Sequence, residues 1–291
     1  MTQEKVELNV RTAVRDRYSK IAETFEAGTP ADCGCNTSPT SCCGDSEADA
    51  RDEVVHLAAI EKFYKETDAD TLPEEVTGLS LGCGDPVTLA ALTPGQTVLD
   101  LGSGGGIDCF LAGQRVGPEG HVIGVDMTPA MLEKARANKA KIGADNVEFR
   151  LGEIEHLPVS DASIDVIISN CVINLSTDKP QVFREMYRAM RPGGKLAVSD
   201  MVTDGKLPDG LTDSLSAWAG CVAGALDVEE YISGIKEVGF VDVEIVPVYL
   251  DRDQIDDAVR QLGGEIQLGG LSKEAVYKAV FSAKITARKP M

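Results

Sequence analysis

The run Val98-Leu-Asp-Leu-Gly-Ser-Gly-Gly-Gly106 constrains the fold more than any other stretch of the chain. Its first four residues form a short apolar segment of the kind buried in a parallel sheet, and the glycines break it at once. Ile107 to Val116 follows as an apolar segment able to form a helix. Strand, glycine turn and helix in that order are the setting in which backbone approaches a nucleotide or nucleoside closely. The glycines fall at Gly102, Gly104 and Gly106, led by Asp100, which gives D-x-G-x-G-x-G and not the G-x-G-x-x-G of a dinucleotide site. A second acid, Asp126, ends the next apolar run, His121 to Val125, where a carboxylate can take ribose hydroxyls. Such a charge-assisted contact contributes roughly 1.5–3 kcal/mol. The glycines alone also fit a tight turn packed under a helix; the two acids and the flanking strands favour a cofactor site.

From Gln96 onward, apolar runs and helical segments alternate. Strands are expected at Val98 to Leu101, His121 to Val125, Val147 to Leu151, Ile164 to Ser169, Lys195 to Ser199, Val241 to Pro247 and Val280 to Ala287. Helices are expected between most of them, among them Pro129 to Ile142, Pro180 to Met190 and Val228 to Val238. Strands separated by helices imply an α/β fold, a parallel sheet covered on both faces. Ahead of this core, Val10, Val14, Tyr18 and Ile21 recur at helical spacing within Glu7 to Phe25, which reads as an amphipathic helix. Ala27 to Asp49 reads as an irregular loop, and Arg51 to Thr67 as a second helix. A longer insert, Asp251 to Lys278, separates the last two strands and carries a helical stretch at Gln254 to Leu262. The expected divisions are 1–78, a helical and Cys-rich segment; 79–205, the cofactor-binding core; and 206–291, a C-terminal α+β part that completes the sheet.

A chain of 291 residues with 43% hydrophobic content can bury one large core and a smaller appended one. No apolar stretch reaches membrane-spanning length and the N-terminus has no signal-peptide core, so a cytoplasmic enzyme with no membrane partner is expected. The net charge of −19 repels a phosphate backbone, which argues against nucleic acid.

Eight cysteines complete the pattern. Ligands of open α/β sheets bind at the carboxyl ends of the strands, here above Leu101, Asp126, Leu151 and Ser169. Cys171 leaves the strand ending at Ser169 at that edge; it reads as a substrate-facing thiol or as a core cysteine. Cys83 lies between glycines in Gly82-Cys-Gly84, a close-approach loop that can present a thiol. Cys221 follows Trp218 by about one helical turn and can face the same pocket. Cys33 and Cys35 form C-x-C and Cys42 and Cys43 are adjacent, in a loop too polar for core cysteines. No C-x-x-C pair supports zinc there, and nothing indicates the secretion that would favour disulfides. Cys109, among apolar residues of the helix behind the glycine turn, belongs to the core.

The glycine run with Asp126 resembles the S-adenosylmethionine site of class I methyltransferases. With Ser80-Leu-Gly-Cys-Gly84, Gly124-Val-Asp-Met-Thr128, Ser169-Asn-Cys-Val-Ile-Asn-Leu175 and Trp218 to Gly224, the chain resembles the S-adenosylmethionine-dependent arsenite methyltransferases from about Val14 to Lys289. The resemblance implies a Rossmann-like class I methyltransferase sheet, mostly parallel with an antiparallel last strand. It implies methyl transfer to arsenite and methylarsenite in arsenic detoxification, with thioredoxin or glutathione as reductant. Arsenic(III) thiols would fall on Cys83, Cys171 and Cys221, with Cys33 or Cys35 as a fourth and Cys42 and Cys43 left open. Cofactor contacts would fall on Gly102, Ser103, Gly104, Asp126, Met127, Ile154, Glu155, Asn170 and Val172, beside Asp100 and Gly106 of the glycine motif. Some members carry an aromatic residue where this chain has Leu81, which leaves one cofactor contact open. Two other functions are compatible with the residues: methyl transfer to a small organic acceptor such as a quinone, with the cysteines incidental, and sequestration of a thiophilic metalloid or zinc without turnover.

Overall fold

The computed structural model describes residues 3–25, 64, 71–80, 82–205, 224–249 and 279–291. Eight strands of these residues form one sheet: β1 (Thr97–Leu101), β2 (His121–Asp126), β3 (Val147–Leu151), β4 (Ile164–Asn170), β5 (Met190–Thr203), β6 (Leu226–Asp227), β7 (Val241–Val248) and β8 (Val280–Arg288). Their order is β3-β2-β1-β4-β5-β8-β7, with the two-residue β6 beside the end of β5. The first five strands run parallel, and β8 is antiparallel to both neighbours. This is the mostly parallel sheet with an antiparallel last strand implied by the sequence resemblance.

Helices α1 (Gln3–Thr24), α2 (Glu74–Thr77), α3 (Pro86–Ala90), α4 (Ile107–Val116), α5 (Pro129–Ile142), α6 (Lys179–Ala189) and α7 (Val228–Glu237) surround the sheet. Successive strand residues point to opposite faces, so the apolar runs supply two cores. Leu99, Leu101, Val125 and Ile167 pack on one face with Phe183 and Met186 of α6 and Tyr231 of α7. Val98, Val122, Val166 and Ile168 pack on the other with Phe110 of α4 and Leu132 of α5. Local chemistry sets the helix starts: the Asp85 carboxylate accepts from the Thr88 N–H and Asp178 from the Gln181 N–H, each followed by a proline in the first turn. Among the described residues no helix is long and apolar enough to cross a membrane. The second helix expected at Arg51 to Thr67 lies, apart from Tyr64, outside the described residues, as does the stretch Gln254 to Leu262.

The largest departure from the expected elements is β5, which spans Met190–Thr203 and not Lys195 to Ser199. At its start the register against β4 shifts between the Met190 and Lys195 pairings, and Gly193 takes φ +77°, so Arg191 to Gly194 form a bulge. At its end a charge interrupts the apolar run, yet Asp200 is fully buried within the ladder to β8. Asp200 accepts from Asn174 Nδ2 at 2.8 Å and from the Met201 N–H at 3.0 Å, and the Tyr231 hydroxyl lies 3.5 Å from its other oxygen. Side-chain and backbone donors thus replace water, which allows a carboxyl inside a sheet.

Burial raises the Asp200 carboxyl to about 7, against the opposing effect of the Met201 N–H and Lys179. Its ordinary value is about 3.9. Between these values the folded state holds a proton that the unfolded chain has lost, so this group's contribution is full below about pH 4 and is lost as pH rises through about 7. Asp200→Asn keeps the shape and removes the titration. The difference in denaturant midpoint between wild type and variant should therefore change across pH 4 to 7, with the wild type losing stability over that window relative to the variant; parallel profiles would contradict the assignment.

Candidate functional site

Register places the site. Leu101 of β1 pairs with Ser169 of β4, so the glycine turn and the Asn170-Cys171 turn leave the sheet side by side. They touch: a Cβ on Gly102 would lie 2.3 Å from the Val172 side chain, so glycine is required there on both space and its φ of +67°. Gly104, at φ +50°, has nothing within 4 Å of a Cβ and opens onto a cleft of about 990 Å³ including its mouth.

The cleft is lined by Gly102, Ser103, Gly104, Asp126, Met127, Ile154, Glu155, Asn170, Cys171 and Val172, all of them expected from the sequence to face cofactor or substrate. Two expected contacts lie elsewhere. Asp100 is buried behind the turn, where it accepts from the Cys109 thiol at 3.2 Å. Gly106 precedes α4 at φ +95°, and a Cβ there would strike Phe110 and Phe149, so it serves packing. Cys109 is a buried free thiol of the core.

Asp126 ends β2 at the cleft wall. Its Oδ2 accepts from the Gly104 N–H at 2.9 Å and its Oδ1 from the Thr128 N–H at 2.8 Å. A carboxylate has about four lone-pair positions, and the Thr128 side chain takes a third, so Asp126 can still accept from a ligand's hydroxyl. Burial raises the Asp126 carboxyl, and the two backbone donors oppose that rise. Ser103 Oγ is buried without a hydrogen-bond partner among the described residues, and Ser103 lines the same wall. An oriented acid, an open glycine and an orphaned hydroxyl are what a nucleoside ligand fills, so these residues fit the expected cofactor.

Further lining residues were not singled out from the sequence: Arg11, Val14 and Tyr18 of α1, Tyr64, and Asp108 of α4. α1 had been read only as an amphipathic helix; its buried Val10 and Val14 pack with Tyr18, Met127 and Leu175, which brings it to the cleft. Arg11 pairs with Glu153 at 3.1 Å, and its second nitrogen lies 4.0 Å from Glu155. Glu155 is buried and accepts from the Ser176 hydroxyl at 2.5 Å. Asp108 is the one polar residue between Ile107 and Gly113 of α4, and a lone acid there is a signal that the sequence offers. It accepts from the Tyr64 hydroxyl at 3.0 Å and from Asn170 Nδ2 at 3.1 Å. Burial raises it to about 7 against those two hydrogen bonds.

Cys171 follows β4 in the left-handed region, at φ +57°, and its N–H donates to the Ser199 carbonyl at 2.8 Å. Cys83 lies in the loop before α3. The two are joined as a disulfide across 88 residues of sequence, with Cα atoms 5.9 Å apart. Met201 and Val280 complete a small buried cluster around them, with Leu175 and Ala225 against it. The sequence had treated these cysteines as separate thiols, with the disulfide considered only for the N-terminal loop. Cys33, Cys35, Cys42, Cys43 and Cys221 lie outside the described residues.

Residues 92–251 match a family model described as a methyltransferase domain. The chain is 45% identical to an arsenite methyltransferase of Halobacterium salinarum over 96% of its own length and 66% of the relative's. It is 44% identical to an arsenite methyltransferase of Aquipseudomonas alcaligenes over 59% of this chain and 51% of that one. It therefore spans between about half and just under two thirds of these curated relatives. Among solved structures it is similar to an arsenic(III) S-adenosylmethionine methyltransferase of Chlamydomonas reinhardtii, with a TM-score of 0.60 and 35% identity, covering 80% of this chain and 74% of that one.

Asp126→Ala removes the oriented carboxylate while leaving the glycine turn intact. Binding of S-adenosylhomocysteine, measured calorimetrically, should weaken by roughly 10- to 100-fold, the equivalent of about 1.5–3 kcal/mol for a charged hydrogen-bond acceptor. Unchanged affinity would place the ribose elsewhere.

Proposed function

The chain belongs to the methyltransferase-domain family, and from that premise we propose that it is an arsenite methyltransferase, moving methyl groups from S-adenosylmethionine to thiolate-bound arsenic(III). The observation that carries this reading is the meeting of Cys83 and Cys171 beside the cleft: Cys171 lines it, and Cys83 sits directly behind. The arsenite methyltransferases to which the chain is similar support the same substrate.

Bound S-adenosylmethionine would supply a methyl group made labile by its sulfonium charge. Asp126 would take the ribose hydroxyls, Gly102 and Gly104 would let backbone approach the ligand, and Ser103 would offer its hydroxyl. A cationic ligand would also favour the ionised forms of Asp108 and Asp126. Trivalent arsenic is a soft centre that prefers thiolates. Each As–S bond replaces an As–OH bond and releases water, and three thiols leave a pyramidal arsenic with its lone pair free. We assign Cys171 and Cys83 to the described part of that set and Cys221 to its third position, with Cys33 or Cys35 delivering arsenic. The task of the protein is orientation: arsenic must present its lone pair along the line of transfer, and no base is required, because arsenic has no proton to lose.

A methyl group added to the lone pair leaves arsenic two electrons more oxidised. Two thiols closing to a disulfide return those electrons and release two protons. The Cys83–Cys171 pair is such a disulfide, and two electrons and two protons must open it before arsenic can enter. Thioredoxin or glutathione is the reductant class this requires, and a cytoplasmic location, where such thiols are kept reduced, agrees with it. Arsenic detoxification is the corresponding role.

The direct test incubates reduced protein with S-adenosylmethionine, arsenite and a thiol reductant, then separates arsenic species with element-specific detection. Methylated arsenic is expected. Its absence with cofactor binding intact would transfer the reading to an organic acceptor such as a quinone. Cys171→Ser should abolish methylation of arsenite and methylarsenite alike. Cys83→Ser should reduce the arsenite rate more than the methylarsenite rate, because methylarsenite needs one sulfur fewer; equal loss on both would remove Cys83 from the first-step role.

A further inference from the structure

We propose that Asn170 is a positioning residue that sets the approach of Cys83 to Cys171, acting through the Cys83 loop; the inference rests on the arsenite reading above. Asn170 is the last residue of β4 and precedes Cys171 directly. Its Oδ1 accepts from the Cys83 N–H at 2.9 Å and its Nδ2 donates to the Gly84 carbonyl at 2.8 Å. One amide therefore grips a donor and an acceptor on either side of the Cys83 side chain, as a neighbouring strand would. The second Nδ2 hydrogen faces the Tyr64 hydroxyl at 3.0 Å and Asp108 Oδ2 at 3.1 Å. Exchanging oxygen and nitrogen would set acceptor against acceptor at Gly84 and Asp108 and donor against donor at Cys83, so the network dictates the amide's orientation.

The glycines on both sides of Cys83 follow from this grip. A Cβ on Gly82 would fall 2.2–2.5 Å from the Asn170 amide, and one on Gly84 would fall 2.5 Å from Ser199 Oγ. The loop thus threads between Asn170 and Ser199. The Ser199 carbonyl takes the Cys171 N–H, so each cysteine is held by a backbone hydrogen bond to this Asn170–Ser199 frame. Two thiols on independent loops would capture one arsenic atom poorly; held in one frame, they act at high effective concentration. Tyr64 and Asp108 line the cleft, so the same network links the cofactor wall to the Cys83 loop.

The site-specific readout is the equilibrium between the two thiols and their disulfide in the full chain. It is set by a glutathione buffer and quantified by mass spectrometry of the peptides that join Cys83 to Cys171. The reaction is balanced: two protein thiols and one glutathione disulfide give one protein disulfide and two glutathione thiols. Asn170→Ala should lower the closing constant at least tenfold, and Gly82→Ala, whose Cβ would push the Cys83 loop and the Asn170 amide apart, should lower it likewise. Gly82→Ala also carries the test if Asn170→Ala does not fold. A second readout is a double-mutant cycle on methylarsenite methylation. In a Cys83→Ser background, Asn170→Ala should lower the rate by a clearly smaller factor than in the wild type, because its route through the Cys83 thiol is gone while its place in the cleft wall remains. An unchanged closing constant in the folded variants overturns the proposal. So does a loss of the same factor in both backgrounds with a raised KM for S-adenosylmethionine, which would make Asn170 a cofactor contact alone. The thiol equilibrium needs no methylation, so a failure of the arsenite reading would show separately, as a wild-type protein with normal closing and no methylated arsenic.

Discussion

The parallel pairing of β1 with β4 is the constraint on which the site depends. With Leu101 opposite Ser169, both strands end at one level, and what leaves them must share the space above. The glycine turn yields by carrying no side chain where Val172 comes closest, and the Cys171 turn yields by adopting a left-handed backbone. A shift of one residue would exchange the faces of every β4 side chain, moving Ile167 out of its core and Asn170 away from the Cys83 loop. Cofactor wall and thiol pair are therefore consequences of one register, itself set by two continuous apolar runs buried on both faces.

Much of this was legible because it is carried by local pattern. Val98 to Leu101, Ile107 to Val116 and Pro129 to Ile142 each announce their element through apolar content, length and flanking glycine or proline, and tertiary packing does not contradict them. Asp126 was legible for a related reason: a lone acid closing an apolar strand has few structural uses at a sheet's carboxyl edge. The full length of β5 was not legible, because Asp200 looks like a strand stop until Asn174, 26 residues earlier in the chain, supplies a donor. Tyr64 and Arg11 escape the sequence for the same reason. Their relation to the cleft exists only across distant segments, and periodicity reports nothing about such contacts. Asp100 shows the converse case, a motif acid drawn inward to a thiol of the neighbouring helix.

The acids near the cleft divide by environment. Asp100 and Asp108 are buried close together, and each is raised chiefly by burial; proximity to Asp108 raises Asp100 further. Burial raises all three carboxyls, and different donors oppose it at each: the Cys109 thiol at Asp100, Asn170 and Tyr64 at Asp108, and the Thr128 and Gly104 N–H groups at Asp126.

The backbone of Cys171 carries a further consequence. A side-chain-bearing residue held at φ +57° gives up about 1–2 kcal/mol that glycine would not, and the sheet supplies that strain from its packing. Backbone preference and cross-linking therefore pull in opposite directions at this one position, since glycine would relieve the strain and lose the bond to Cys83. Glycine there would leave every strand in place and Cys83 without its partner. The strained backbone of one residue is thus the condition for tying together two loops that lie 88 residues apart in the chain.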